Sequence, residues 1–145
     1  MSYSERLFLT ELFNAAVSAA DPKMALSRFL PVKPKGRTVV IGAGKGAAQL
    51  ASAFEELWDG LLSGVVVTRY GFAAPCQHIQ VLEASHPVPD AAGLAASAAL
   101  FEEVRGLGPD DLVVALICGG GSSLLPAPVA GLSLIHISEP TRHSI

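Results

Sequence analysis

The sequence predicts an α/β protein, with helices layered on a mainly parallel β-sheet. Three observations point there. Short uncharged runs rich in β-branched residues recur at Thr38–Ile41, Val65–Thr68 and Leu112–Ile117, a composition suited to strands covered on both faces. Segments with helical spacing of apolar residues alternate with them. Two of the runs leave through glycine-rich turns, Gly42–Gly46 and Gly119–Gly121. A strand that passes through such a turn into a helix presents backbone N–H groups where an anion can sit.

The elements follow in order. Ser2 and Glu5 have capping-box spacing, and Phe8, Leu12, Ala15, Ala16 and Ala19 make one apolar helical face behind them. Asp21 caps a second, short helix with Pro22 at its first position, and that helix stops before Pro31. Both are expected to be packing elements without chemistry. Residues Pro31–Arg37 lead into the central strand, Thr38–Ile41. After its glycine turn, Ala47, Leu50, Ala51, Phe54, Leu57 and Trp58 form a helical stripe. Gly60 and Gly64 bracket a turn before the second buried strand. His78–Leu82 alternates and reads as a strand nearer the sheet edge. The loop Ala84–Asp90 is stiffened by two prolines, and Asp90 caps a helix with Leu94, Ala98, Phe101 and Val104 as its buried stripe. Gly93 weakens its first turn. Leu112–Ile117 is a fourth buried strand, ending in Cys118-Gly119-Gly120-Gly121-Ser122-Ser123. Ligands of parallel sheets gather outside the carboxyl ends of the strands, so both glycine turns and the Ser85–Asp90 loop are expected at one edge.

Composition narrows the function classes. The 145 residues suffice for one domain with a real core. Thirteen acidic against ten basic residues leave a net charge of −3, which implies no nucleic-acid partner. Charged residues are 16 % of the chain, below the roughly 25 % of ordinary soluble domains. Mean hydropathy is +0.45. No apolar run approaches the ~20 residues of a membrane helix, so no membrane partner is expected and the apolar excess points to a larger body that covers it. Cys76 and Cys118 lack metal-type spacing and nothing resembles a signal peptide, which indicates a cytoplasmic protein.

The glycine turns admit two kinds of chemistry. Gly42-x-Gly44-x-x-Ala47 satisfies the dinucleotide fingerprint, yet the second strand ends in Thr68 and Arg69 rather than an acidic residue, which suits only a 2′-phosphate cofactor. Lys45 also stands where a pyrophosphate needs close backbone approach. A P-loop is excluded by the glycine spacing and by the lack of Ser or Thr after the lysine. The other reading is a glycine cradle with a lysine point charge, facing a second cradle that carries two hydroxyls. That arrangement suits phosphoryl transfer, which needs positioning and charge compensation. Against both stands the ordinary reading of Lys45 as a solvated lysine, of His86 as a loop hydrogen-bonder and of three glycines as a tight turn.

VVIGAGKGAA, ASHPVPDAAG and CGGGSSLLPAPVAGLSL, in this order, resemble the N-terminal portion of the class II glycerate kinases, in which this domain precedes a C-terminal MOFRL domain. The resemblance spans Arg37 to about Gly131. It implies a three-layer, Rossmann-like domain with a mainly parallel sheet, incomplete at the C-terminus. It further implies phosphorylation of D-glycerate to 2-phosphoglycerate with ATP and Mg²⁺, and leaves open a homo-oligomer of the full-length enzyme. By motif position Lys45 corresponds to the active-site lysine. Gly42, Gly44, Ser85, His86, Gly119, Gly120, Gly121, Ser122 and Ser123 fall in the substrate- and phosphate-binding motifs, and no metal ligand is assigned. Gly46 and Cys118 depart from the alanine and serine common in the family. Some members carry a hydroxypyruvate reductase label, which keeps an NADP-binding module as the alternative. The family continues well beyond this chain, so the chain alone is expected to be an inactive truncation. Its expected divisions are residues 1–36, N-terminal helices and lead-in; 37–131, the partial kinase domain; and 132–145. That last stretch, beginning LSLIHISEPTR, reads like the conceptual translation of a sequencing adapter.

Overall fold

The structure, a computed structural model, describes residues 3–138. Four strands, β1 (Thr38–Ala43), β2 (Leu62–Arg69), β3 (Ile79–Ala84) and β4 (Leu112–Ile117), form one sheet in the order β3-β2-β1-β4. Every pairing is parallel. The helices are α1 (Tyr3–Ala19), α2 (Pro22–Leu26), α3 (Ala47–Leu57), α4 (Ala91–Glu103), α5 (Gly121–Leu124) and α6 (Leu134–Ser138). The crossovers β1–α3–β2 and β3–α4–β4 run in opposite directions along the sheet, and right-handed crossovers then put α3 and α4 on opposite faces. Three layers result. The two crossovers diverge where β1 and β4 lie side by side, and such a switch point opens a crevice at the carboxyl ends of the strands.

The core forms two clusters, one on each face. On the α3 face Val40, Val66 and Leu116 pack against Ala47, Ala51, Phe54 and Trp58. The Phe54 and Trp58 rings stack with centroids 5.2 Å apart. On the α4 face Ala43, Val67 and Ala84 pack against Ala96 and Leu124. The β-branched run that predicts the central strand is buried on both sides, as expected, though the strand runs on through Gly42 and Ala43. β3 is an edge strand, again as expected. Asp21 caps α2 by accepting hydrogen bonds from Lys23 N and Met24 N, both 3.0 Å. Ser2 and residues 139–145 lie outside the described residues, so the capping box and half of the expected tail do too.

Four expectations need correction. Gly64 belongs to β2 rather than to a turn, because it pairs with Val40 in the ladder. The buried face of α4 is Gly93, Ala96, Ser97 and Leu100, while Phe101 is 65 % exposed. The helix is rotated by about one residue, ~100°, because Gly93 gives room to Pro126: a Cβ there would stand 2.9 Å from the proline Cδ. β4 is not buried on both faces. Leu112, Val114 and Leu116 meet the α3 cluster, but Val113 is 42 % and Ile117 67 % exposed on the other face. Finally, α1 buries no residue and gives none to either core cluster, so only α2 acts as a packing element, through Leu26 against the α3-side cluster and in part through the Lys23–Glu56 ion pair of 2.9 Å.

Contiguous apolar surface drives association. With the α4-side face of β4 bare and Leu7, Phe8, Leu12 and Phe13 of α1 exposed, the 145-residue chain by itself is expected to elute from size exclusion as oligomers or aggregate. Elution as a monodisperse monomer would contradict that.

Candidate functional site

The carboxyl ends of β1, β3 and β4 carry the three predicted loops to one edge of the sheet. Four hydrogen bonds join the exits. Cys118 N donates to Ala43 O at 3.0 Å, Lys45 N to Gly119 O at 3.1 Å, and Gly44 N to Val67 O at 3.1 Å. The hydroxyl of Thr68, fully buried, donates to Lys45 O at 3.2 Å. The backbone on both sides of Lys45 is therefore tied to a neighbouring strand exit, which aims its exposed side chain rather than leaving it on a free loop.

Gly120 marks where the side chains converge. Its φ of +83° lies in the left-handed region. A Cβ there would stand 2.7 Å from His86 Nε2 and 3.0 Å from Lys45 Cε. Thus the histidine of the loop after β3 and the lysine of the loop after β1 approach the same point of the glycine–serine turn. Beside it, Ala43, Ile117, Cys118, the Gly119–Ser122 turn and Leu125 line a cavity of about 420 Å³. Gly119 has open space at the position a Cβ would occupy. Ser122 is exposed, and the Ser123 hydroxyl donates back to Gly120 O at 3.3 Å.

Not every predicted residue faces this space. A Cβ at Gly42 would meet Leu116 O at 2.6 Å, and one at Gly44 would overlap Cys118 O. These two glycines let β1 and its turn pack against β4. Thr68 and Arg69, the residues that would suit a 2′-phosphate, are otherwise engaged. Thr68 spends its hydroxyl on Lys45 O, and the Arg69 guanidinium lies 3.5 Å from the centroid of the Phe72 ring.

The loop that carries His86 is held by an arrangement of which the sequence reading found only the Asp90 cap, not the Tyr70 and Ser85 contacts. Asp90 caps α4 by accepting from Gly93 N at 3.0 Å, and the same oxygen accepts from Ser85 N at 3.3 Å. Its other oxygen accepts from Tyr70 Oη at 2.7 Å. Partial burial pushes the Asp90 carboxyl up, but the Tyr70 hydroxyl and the N–H groups of Gly93, Ser85 and Ala92 outweigh it and hold the carboxyl below the usual 3.8. The Tyr70 phenol is raised, first by this hydrogen bond and then by burial. A group depressed on folding contributes stability above its unfolded value and loses it as pH falls through the folded one. Asp90→Ala is expected to cost about 1 kcal/mol at neutral pH, the ordinary worth of an N-cap. In urea titrations the deficit should shrink as pH falls below 3.8; a deficit that persists unchanged in acid would contradict this role.

The electrostatics are one-sided. Among the described residues Lys45 has no ion pair, and both Asp90 oxygens are taken. The edge thus offers a cation, an imidazole, hydroxyls and open backbone, which suits an anion. No group of three His, Cys, Asp or Glu side chains among the described residues could hold a metal ion. No step is assigned to a metal. No helix among them is long and apolar enough to cross a membrane.

Comparison with known proteins agrees with this fold. The profile of a family described as "Domain of unknown function (DUF4147)" matches residues 8–143. A protein of Agrobacterium vitis, provisionally named a hydroxypyruvate reductase, is 54% identical over 132 residues, covering 90% of this chain and 30% of its own. A D-glycerate 2-kinase of Thermotoga maritima is 35% identical over 133 residues, covering 90% of this chain and 32% of its own. The crystal structure of a Thermotoga maritima glycerate kinase superposes with a TM-score of 0.86 at 33% identity, over 96% of this chain and 34% of that one. The chain thus spans about a third of the length of these relatives.

Proposed function

The chain belongs to the DUF4147 family, and from that premise we propose that it is the N-terminal part of a glycerate 2-kinase, which transfers the γ-phosphoryl group of ATP to the 2-hydroxyl of D-glycerate. The observation that carries this reading is the convergence of Lys45 and His86 on Gly120, beside an open glycine–serine turn and, among the described residues, without a carboxylate paired with the lysine. Phosphoryl transfer is achieved mainly by positioning and by compensating charge that builds on the phosphoryl oxygens. In this reading Lys45 meets that charge, the Gly119–Gly121 backbone and Ser122 receive phosphate or substrate oxygens, and the Ser85–Asp90 loop closes one side. Gly42 and Gly44 act through packing, by bringing the loops together. One edge of such a site does not complete it, so the chain alone is proposed to be inactive, in a cytoplasmic enzyme whose other segments supply the rest. The division of the chain at residues 36 and 131 belongs to the same reading.

The alternative, an NADP-binding module of a reductase, is disfavoured by how the fingerprint glycines are used. Their open sides are filled by Leu116 and Cys118, and Arg69 is stacked on Phe72. Parallel assays on the complete enzyme separate the two: ATP with D-glycerate, and NADPH with hydroxypyruvate. ADP formation that depends on D-glycerate supports the kinase; NADPH oxidation that depends on hydroxypyruvate without it supports the reductase.

A further inference from the structure

Transfer of a phosphoryl group to an alcohol leaves one proton to be placed, and the lysine cannot take it because an ammonium only donates. The other acceptors at this edge are few. Asp90 already accepts from Tyr70, Ser85 and Gly93, and Ser122 and Ser123 are weakly basic hydroxyls. The Cys118 sulfur is packed at Gly46, where a Cβ would stand 3.1 Å from it. His86 differs from all of these. Its Nε2 faces the space that Gly120 leaves open, and among the described residues no hydrogen bond reaches either ring nitrogen. The loop that carries it is pinned at both ends of the Ser85–Asp90 segment by one carboxylate, which fixes where the imidazole stands.

We propose that His86 is a catalytic residue, the general base of the transfer; this role rests on the kinase reading above. The substrate hydroxyl oxygen forms a bond to the γ-phosphorus of ATP while the bond from that phosphorus to the β-bridging oxygen breaks. The hydroxyl proton passes to Nε2 of His86, in the tautomer with its hydrogen on Nδ1, and ADP leaves with the electron pair of the broken bond. Gly120 then has a chemical reason to lack a side chain: a Cβ would stand in the gap where hydroxyl, imidazole and ammonium meet.

A positioned base contributes on the order of a hundredfold or more. In the complete kinase, His86→Ala and His86→Gln are therefore both expected to lose about a hundredfold or more in kcat, with KM for D-glycerate changing far less. Added imidazole is expected to restore turnover to His86→Ala and to leave wild type unchanged. Rescue is a readout that a merely structural histidine would not give. Independently of turnover, D-glycerate should protect His86 from carbethoxylation by diethyl pyrocarbonate, read by mass spectrometry. Wild-type kcat in His86→Gln, a change confined to KM, absence of imidazole rescue in a folded His86→Ala, or no protection by D-glycerate would each overturn the proposal. A wild type that forms no 2-phosphoglycerate overturns the kinase reading itself, and this role with it.

Discussion

Lys45→Ala in the complete enzyme is expected to lower turnover about a hundredfold or more, the usual cost of removing one preorganised electrostatic donor from a transition state. The lysine is fixed from both sides of its own backbone, by Gly119 O on its N–H and by the Thr68 hydroxyl on its carbonyl. Its ammonium has no competing carboxylate among the described residues. The loss should therefore fall on kcat more than on KM, because the charge it meets grows during transfer. Steady-state kinetics of the variant check this. Near-normal turnover would return Lys45 to an ordinary solvated lysine.

Gly44→Ala is expected to have the largest effect on stability. Its φ of +137° is a conformation L side chains rarely adopt, and a Cβ there would overlap the Cys118 carbonyl, which is backbone and cannot turn aside. Strain and overpacking each cost about 1–3 kcal/mol, so a loss of about 3 kcal/mol or more is expected from a total that is ordinarily 5–15. The consequence for function follows from geometry. Parting β1 from the exit of β4 separates Lys45 from Gly120, so even a folded fraction should bind its substrates poorly. Urea titration of the variant, beside Gly119→Ala as a control where nothing lies within 4 Å of the added Cβ, measures the difference. Equal midpoints for the two would contradict the packing role.

Much of this was legible in the chain because it is encoded over short distances. The β-branched run at Thr38, the glycine turn and the helical stripe from Ala47 to Trp58 are neighbours in sequence, and the structure keeps that order. The caps at Asp21 and Asp90 were readable for the same reason. Since every strand is parallel, the three motif loops could be assigned to one edge before the strand order was known. What escaped depends on partners far along the chain. That β4 lies beside β1, and so which loops meet, is a long-range pairing with no local signature. Gly93 looks like a weak spot in a helix until Pro126 is found against it, and the same contact turns α4 away from its Leu94–Phe101 stripe. Tyr70 and Thr68 carry no motif; their hydroxyls matter only because the fold brings Asp90 and Lys45 O to them. The exposed half of β4 shows the limit of composition. A run of Leu, Val, Ala and Ile reads as buried on both faces, whether or not the described residues include anything to cover it.

The central claim is that this edge of the sheet serves phosphoryl transfer to a small hydroxy acid. It is tested most directly by following the γ-phosphate of ATP in the complete enzyme by ³¹P NMR with D-glycerate present. The account predicts a phosphomonoester on the C2 oxygen, formed by wild type and about a hundredfold or more slower by Lys45→Ala. An ester that never forms, or γ-phosphate released only as inorganic phosphate whether or not D-glycerate is added, would contradict it.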